Sequence, residues 1–300
     1  MSCWPGCCND RIMNAPIDSH VIARAGAAAG SWQARLQLRF ERRGERTVLA
    51  QREHLGPLRI QKALYPEGER VCHGIVLHPP AGIAGGDELS IEVRLDAAAH
   101  ALLTTPGAGK WYRSAAAEGV LRQAMVIAPG ALCEWLPQES IIFDRALARL
   151  ETRVELQGDA AFVGMEMLRF GRSASGERFA GGEFRTSTRI SRDGRPVWLE
   201  RGRLSGGGRL LESRVGLAAR PVCGTLVVAT PRVDDEMLEA WRGLMPAEGE
   251  GAVTRLPGLL LARFRGSCCE AGRAWFVNLW SLVRPALAGV PAVVPRIWNT

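Results

Sequence analysis

The stretch VCHGIVLHPPAGIAGGDELS, Val71–Ser90, is where the choice between a helical and a β fold is made. Gly74–Leu77 is a short apolar run, Pro79–Pro80 is rigid, and the Gly82–Gly86 loop is free to take positive φ. Asp87 and Glu88 follow at once and open another alternating segment. The stretch therefore reads as strand, stiff corner, strand. It sets two carboxylates at a defined point on a sheet edge or mouth. Turn chemistry, catalysis and a metal path all remain open for them at this stage.

Outward from that corner the period stays at two. Leu89, Ile91, Val93 and Leu95 alternate with Ser90, Glu92 and Arg94. Upstream, Trp32, Ala34, Leu36, Leu38 and Phe40 alternate with polar residues, which predicts a half-buried antiparallel strand with one wet face. Gly44 makes the turn, and Thr47–Arg52 pairs back. Leu58–Ala63, Ala101–Thr105, Val120–Ile127, Ala131–Leu136 and Leu147–Leu156 continue the series, and Asp193-Gly194 centres a hairpin. Leu226–Ala229 and Gly258–Arg265 are further strands. Such spacing indicates a mainly β body, as a sandwich, a barrel or stacked sheets. Ala160–Phe170 fits a strand or a short helix.

Two helices are expected, both late. Asp234–Met245 begins with three acids suited to a helix N-terminus and carries Met237, Leu238, Trp241 and Leu244 on one face. Arg273–Ala288 carries Phe276, Leu279, Trp280 and Val283, with Pro285 expected to end or kink it. Val290–Thr300 reads as an extended, proline-bounded tail. No composition shift divides the chain, and no internal sequence repeat is visible. Residues 1–30 lack periodicity and are expected to form a disordered leader.

Three hundred residues with 47% hydrophobic content suffice for a large core. No apolar run of about 18 residues predicts a membrane span, and no signal peptide is visible, so a soluble cytoplasmic protein is expected. The net charge of +7 rests on arginine, since Lys62 and Lys110 are the only lysines. The arginines scatter along the strands without a basic block, which argues against nucleic acid. Eight cysteines contain no CxxC pair, and Cys72, Cys133 and Cys223 sit in apolar surroundings as buried thiols.

Several motifs fail on inspection. Gly107–Lys110 looks like a phosphate loop, but Thr104 stands where the first glycine belongs and Trp111 follows the lysine. Lys110, Trp111, Tyr112 and Arg113 read better as an exposed recognition loop, or as a charge placed among carboxylates. His73 and His78 fall on opposite faces of one strand, so they chelate together only if the prolines after His78 supply a bend, and structural histidines are the expectation. No pattern for a nucleophilic hydrolase is present. More informative are the acids: Glu134, Glu139, Asp144, Glu166 and Glu200 lie in or beside apolar runs, where burial is costly unless they are paired or hydrated. Salt bridges to arginine account for them as one reading. An interior hydrated path that passes a divalent cation is the other.

Taken together, LHPPAGIAGGDEL, TPGAGKWYRS, EWLPQESIIFD, the glycine-rich run leading to RDGRPVWLE, and the terminal PRIWNT resemble the urease accessory protein UreD (UreH) family. The motifs span Ser31–Thr300. The resemblance implies a single stacked-sheet, β-helical-like domain over residues 31–300 with about two helices toward the C-terminal half. It implies a maturation factor, not an enzyme, that binds urease apoprotein, UreF and the GTPase UreG, with UreE as indirect nickel donor. No cofactor is expected to stay bound; nickel passes transiently. Matching motifs assigns Asp87, Glu88 and Glu200 to that passage, with Lys110 lining it or pairing with its acids. Trp111, Tyr112, Arg113, Trp241, Arg296 and Trp298 are the expected partner contacts. A stand-alone nickel carrier and an Asp87/Glu88 hydrolase are the alternatives. Adjacent strand residues face opposite ways, which weighs against the second.

Overall fold

A computed structural model describes residues 31–299. The expected leader and its cysteines lie outside the described residues. The described residues open with a hairpin, β1 (Gln33–Arg43) and β2 (Arg46–Leu55), and a two-residue strand, β3 (Arg59–Ile60). It then winds in coils. β4 (Cys72–Leu77) passes the Pro/Gly corner into β5 (Glu88–Leu95). β6 (His100–Thr104) continues through β7 (Gly109–Trp111) to β8 (Gly119–Ile127). β9 (Leu132–Trp135) and β10 (Ser140–Ile142) lead to β11 (Leu147–Leu156), and β12 (Ala161–Phe170) to β13 (Glu183–Arg192).

Each coil visits two facing sheets. The first sheet has the order β14-β13-β11-β8-β5-β1-β2, where β14 (Arg195–Ser205) is the antiparallel return of the Asp193-Gly194 hairpin. After a short helix, α1 (Arg209–Glu212), come β15 (Val222–Ala229), helix α2 (Asp235–Arg242), β16 (Glu250–Leu256) and β17 (Leu259–Gly266). These three strands extend the second sheet, in the order β16-β17-β15-β12-β9-β6-β4-β3. Helix α3 (Cys269–Ala288) follows and packs on the outside of the second sheet.

Within the coils the strands run parallel, as successive turns of one solenoid must. Cys72, Ala101, Cys133 and Phe162 lie side by side in register, one per coil. That repetition is structural and leaves no sequence repeat, because the inner positions demand only an apolar side chain. For the same reason β1 corrects the expectation of a purely antiparallel strand. It is antiparallel to β2 and parallel to β5, and alternation reports a wet face without reporting a partner's direction.

The coil corners are also stacked. Ala98, Gly130, Gly158 and Asp193 occupy left-handed backbone at one end of successive coils, with φ of 57°, 71°, 53° and 50°. The Ala98 N–H donates to Pro129 O, Gly130 N–H to the Asp159 carboxylate and Gly158 N–H to the Asp193 carboxylate.

Two apolar layers form the core. Leu36, Phe40, Leu89, Leu95, Phe162 and Phe184 meet between the sheets, while Leu226, Trp241, Phe276, Leu279 and Trp280 meet between the second sheet and the helices. Burying each such side chain is worth about 1.5–3 kcal/mol. β12 contributes to both layers, which explains its near-continuous apolar run and settles it as a strand.

Four expectations shift at the margins. The Leu58–Ala63 strand shrinks to β3, and the exposed edge strand β16 gave no readable alternation. Helix α3 starts at Cys269, runs through Pro285 and ends on Gly289 at φ 70°. Proline is tolerated there because it removes only one late hydrogen bond of a helix already anchored by buried aromatics. The extended tail closes in a 3₁₀ turn, Arg296–Asn299.

Candidate functional site

The alternation of four neighbouring strands sets Gln123, Thr152, Thr188 and Glu200 side by side in register on the inner face of the first sheet. Opposite them, β12 turns Phe162, Gly164, Glu166 and Leu168 inward, while Val163, Met165 and Met167 face the helices. Glu166 stands beside Thr225, which stands beside Arg263. A polar row thus crosses an otherwise apolar interior. It borders a cavity of about 310 Å³ that reaches outward past His78, Gly82 and the Pro106–Lys110 loop.

The charges around this cavity are unevenly matched. Arg263 Nη2 lies 2.7 Å from Glu200 Oε1, Nη1 donates to Thr225 Oγ1 at 2.8 Å, and the guanidinium stands 5.6 Å from the centroid of the Trp198 ring. The Glu166 carboxylate forms no hydrogen bond or ion pair among the described residues, although its backbone is part of the ladder with β15. Burial, and then the charge of Glu200, push its carboxyl up to about 7, with Arg263 opposing. Near the mouth, burial holds the His78 imidazole below its usual range, and its Nε2 has no hydrogen-bond partner.

The structure separates the residues singled out in the sequence. Glu200 and Lys110 line the cavity. Asp87 is 2% exposed, and its two oxygens accept the backbone N–H groups of Trp32 and Ala84, each at 2.8 Å. It is the clasp of the Pro/Gly corner. Glu88 lies on the outer face of the first sheet, 2.9 Å from Arg122. The structure thus does not bring Asp87, Glu88 and Glu200 together: Asp87 is spent on backbone N–H groups of the corner before β5, Glu88 faces outward to Arg122, and Glu166 is the acid that joins Glu200. Its signal was present in MEML, an acid at an inward position of a strand.

The partner-contact expectation also divides. Trp111 is 2% exposed and packs edge-on against Phe184, with ring centroids 6.2 Å apart. Trp241 is fully buried, and its Nε1 donates to Leu279 O at 2.8 Å. Both are core, and this corrects their assignment to a surface. Tyr112 is half-buried against Phe143 and Gly82. Arg113 and Arg296 are exposed. Trp298 is half-buried, and its Nε1 donates to Thr104 Oγ1 at 2.7 Å.

A family model described as UreD urease accessory protein matches residues 33–299. The chain belongs to the UreD family. It is 60% identical over 288 residues to the urease accessory protein UreD of Azoarcus sp. (strain BH72), covering 96% of this chain and all of that one. It is 53% identical over 274 residues to that of Dechloromonas aromatica (strain RCB), covering 90% and 95%. The UreD of Pseudomonas fluorescens (strain Pf-5) is 51% identical over 273 residues, covering 90% and 96%. UreD proteins are accessory proteins, not enzymes, and the role of this one lies in urease maturation.

This UreD chain contains a second polar cluster, between the second sheet and α3. Glu134 accepts from His100 Nε2 at 2.9 Å, Trp280 Nε1 at 2.7 Å and Arg284 Nε at 3.1 Å. Arg284 also reaches Glu67 at 2.5 Å, and Glu67 holds His73 at 2.6 Å. Burial pushes the Glu134 carboxyl up, but His100 and Arg284 outweigh it and hold the group at about 2. This network pins α3 to the coils; every charge in it is spent on a partner. Glu139 and Asp144 are likewise engaged, by Arg273 and by the N–H groups of Ala180 and Gly181.

Proposed function

We propose that this chain acts in urease maturation as both scaffold and conduit. It joins the urease apoprotein with a UreF-like protein and the GTPase UreG in the cytoplasm, and it passes nickel toward the urease site. The observation that supports the conduit is the interior cavity, with Glu166 and Glu200 facing it amid threonine hydroxyls and the Gln123 amide. Oxygen donors suit a borderline divalent cation, and two carboxylates with no imidazole or thiolate between them favour passage over retention. His78 and Lys110 stand at the outer mouth, where the lysine charge limits how many cations the path holds at once.

Co-expression with urease and its accessory set tests this reading. Glu166→Gln and Glu200→Gln should leave the accessory complex assembled while lowering urease nickel content and activity. Full activation by both variants in an intact complex would remove the conduit. Tight, stoichiometric nickel binding by the isolated chain would favour the stand-alone carrier instead.

A further inference from the structure

The acid at one end of the cavity is already occupied by a cation of the protein's own. β14 ends the first sheet, and β17 is next to last in the second, so Glu200 and Arg263 meet where the sandwich opens sideways. Their side chains are 32% and 42% exposed, which places the pair at a boundary between cavity and solvent. Arg263 spans from the second sheet to the first, and three features hold its guanidinium there: Glu200, the Thr225 hydroxyl and the Trp198 ring. Glu166 lies on the cavity side of this pair and has no cation of its own among the described residues.

We infer that Arg263 is a tethered counter-cation that closes the lateral end of the cavity, and that a divalent cation leaves by displacing it from Glu200. This rests on the conduit reading above. The physical argument is exchange. A guanidinium–carboxylate contact is a charge-assisted bond, strong enough to keep the acid from trapping a metal but weakened by solvent at this exposure. A divalent ion arriving between Glu166 and Glu200 competes for the same oxygen. When the ion moves on, the arginine returns and the acid is again neutralised. The tether therefore prevents the two acids from becoming a metal sink and makes release depend on an intramolecular competitor at high effective concentration. The surrounding hydrogen bonds give the return a defined position, since Arg263 is oriented by Thr225 even while Glu200 is engaged elsewhere.

Nickel binding to the full chain, measured by equilibrium dialysis with Ni²⁺ alone at pH 8, tests this. Arg263→Gln should bind Ni²⁺ at least about tenfold more tightly than the parent, the scale of one charge-assisted contact removed from competition. The gain should vanish in the Glu200→Gln/Arg263→Gln double variant, and Arg263→Lys, which keeps the cation, should stay close to the parent. Thr225→Val frees one arm of the guanidinium without touching an acid and should give a smaller increase in the same direction. It serves as the test if Arg263→Gln does not fold. Equal Ni²⁺ affinity of the parent, Arg263→Gln and Thr225→Val overturns the inference, and if Glu166→Gln and Glu200→Gln still impair urease activation, the conduit stands without the gate. A gain in affinity with normal activation by the two acid variants has the opposite meaning: Arg263 does compete for the site, and the conduit reading fails.

Discussion

Arg284 and Glu134, 150 residues apart in sequence and both inaccessible to solvent, meet at 3.1 Å beneath helix α3. Each is also held by a second group, Glu134 by His100 and Arg284 by Glu67, so the pair is the centre of a buried charge network. Arg284→Ala should lower stability by about 3–5 kcal/mol, the cost of removing the cation shared by two buried carboxylates, Glu134 and Glu67. Urea denaturation of the parent, Arg284→Ala, Glu134→Ala and the double variant checks this. The double variant should lose clearly less than the two single losses added together.

The same pair predicts a response to acid. The folded-state value of Glu134, about 2, lies below the ordinary carboxylate value, so the folded chain resists protonation that the unfolded chain accepts. Its contribution is full above pH 4.5 and is lost as pH falls toward 2. Melting temperatures taken across that window should fall for the parent and flatten for Glu134→Gln, which has no proton to take up.

Glu166 has the opposite sign. Its folded-state value is raised to about 7, so the folded chain holds a proton that the unfolded chain has already released. Stability is therefore eroded as pH rises from about 4.5 to 7. Glu166→Gln should melt at a higher temperature than the parent at pH 8 and at the same temperature at pH 4. A calorimetric scan at the two values decides it.

Asp87 tests the difference between a clasp and a conduit residue. Asp87→Ala releases two backbone N–H groups at the corner, at a cost of about 2–3 kcal/mol. Its melting temperature should fall. Urease activation, measured per folded molecule, should stay near that of the parent, whereas Glu200→Gln should show the reverse pattern.

The C-terminal tail should serve partner docking. Arg296 is exposed, and Trp298 fixes the 3₁₀ turn through Thr104, next to the loop at the cavity mouth. Removing Pro295–Thr300 should abolish co-purification with the UreF-like partner. An unchanged pull-down would place the docking surface elsewhere.

Much of the fold was legible because alternation is a local property. Leu36, Leu38, Phe40, Leu89, Ile91, Val93 and Leu95 are buried as their spacing predicted, and the Asp193-Gly194 turn joins β13 to β14. Helix α2 is capped where its acids indicated: the Asp234 side chain accepts the Met237 N–H at 2.9 Å. The coil stacking was not legible. Parallel neighbours come from coils about thirty residues apart and make contact through interchangeable apolar side chains, so no residue marks its partner.

The candidate site divides along the same line. Glu166 and Glu200 were visible as acids inside apolar strands, and an acid in that setting must be either paired or hydrated. Which of the two applies is a question about the facing sheet. Motif matching assigned Asp87 and Glu88 to one passage, the glycine turn before Trp111 suggested an exposed loop there, and the apolar face of its helix made Trp241 an expected partner contact. The tertiary structure turned Asp87 into a corner clasp, sent Glu88 to the outer face and buried both tryptophans. It brought Arg263 across to Glu200 at 2.7 Å and left the Glu166 carboxylate without an ion-pair partner among the described residues. The sequence determined the strands, the corner and the family, since these depend on spacing along the chain. Only the closing of one sheet over the other decided which charges meet.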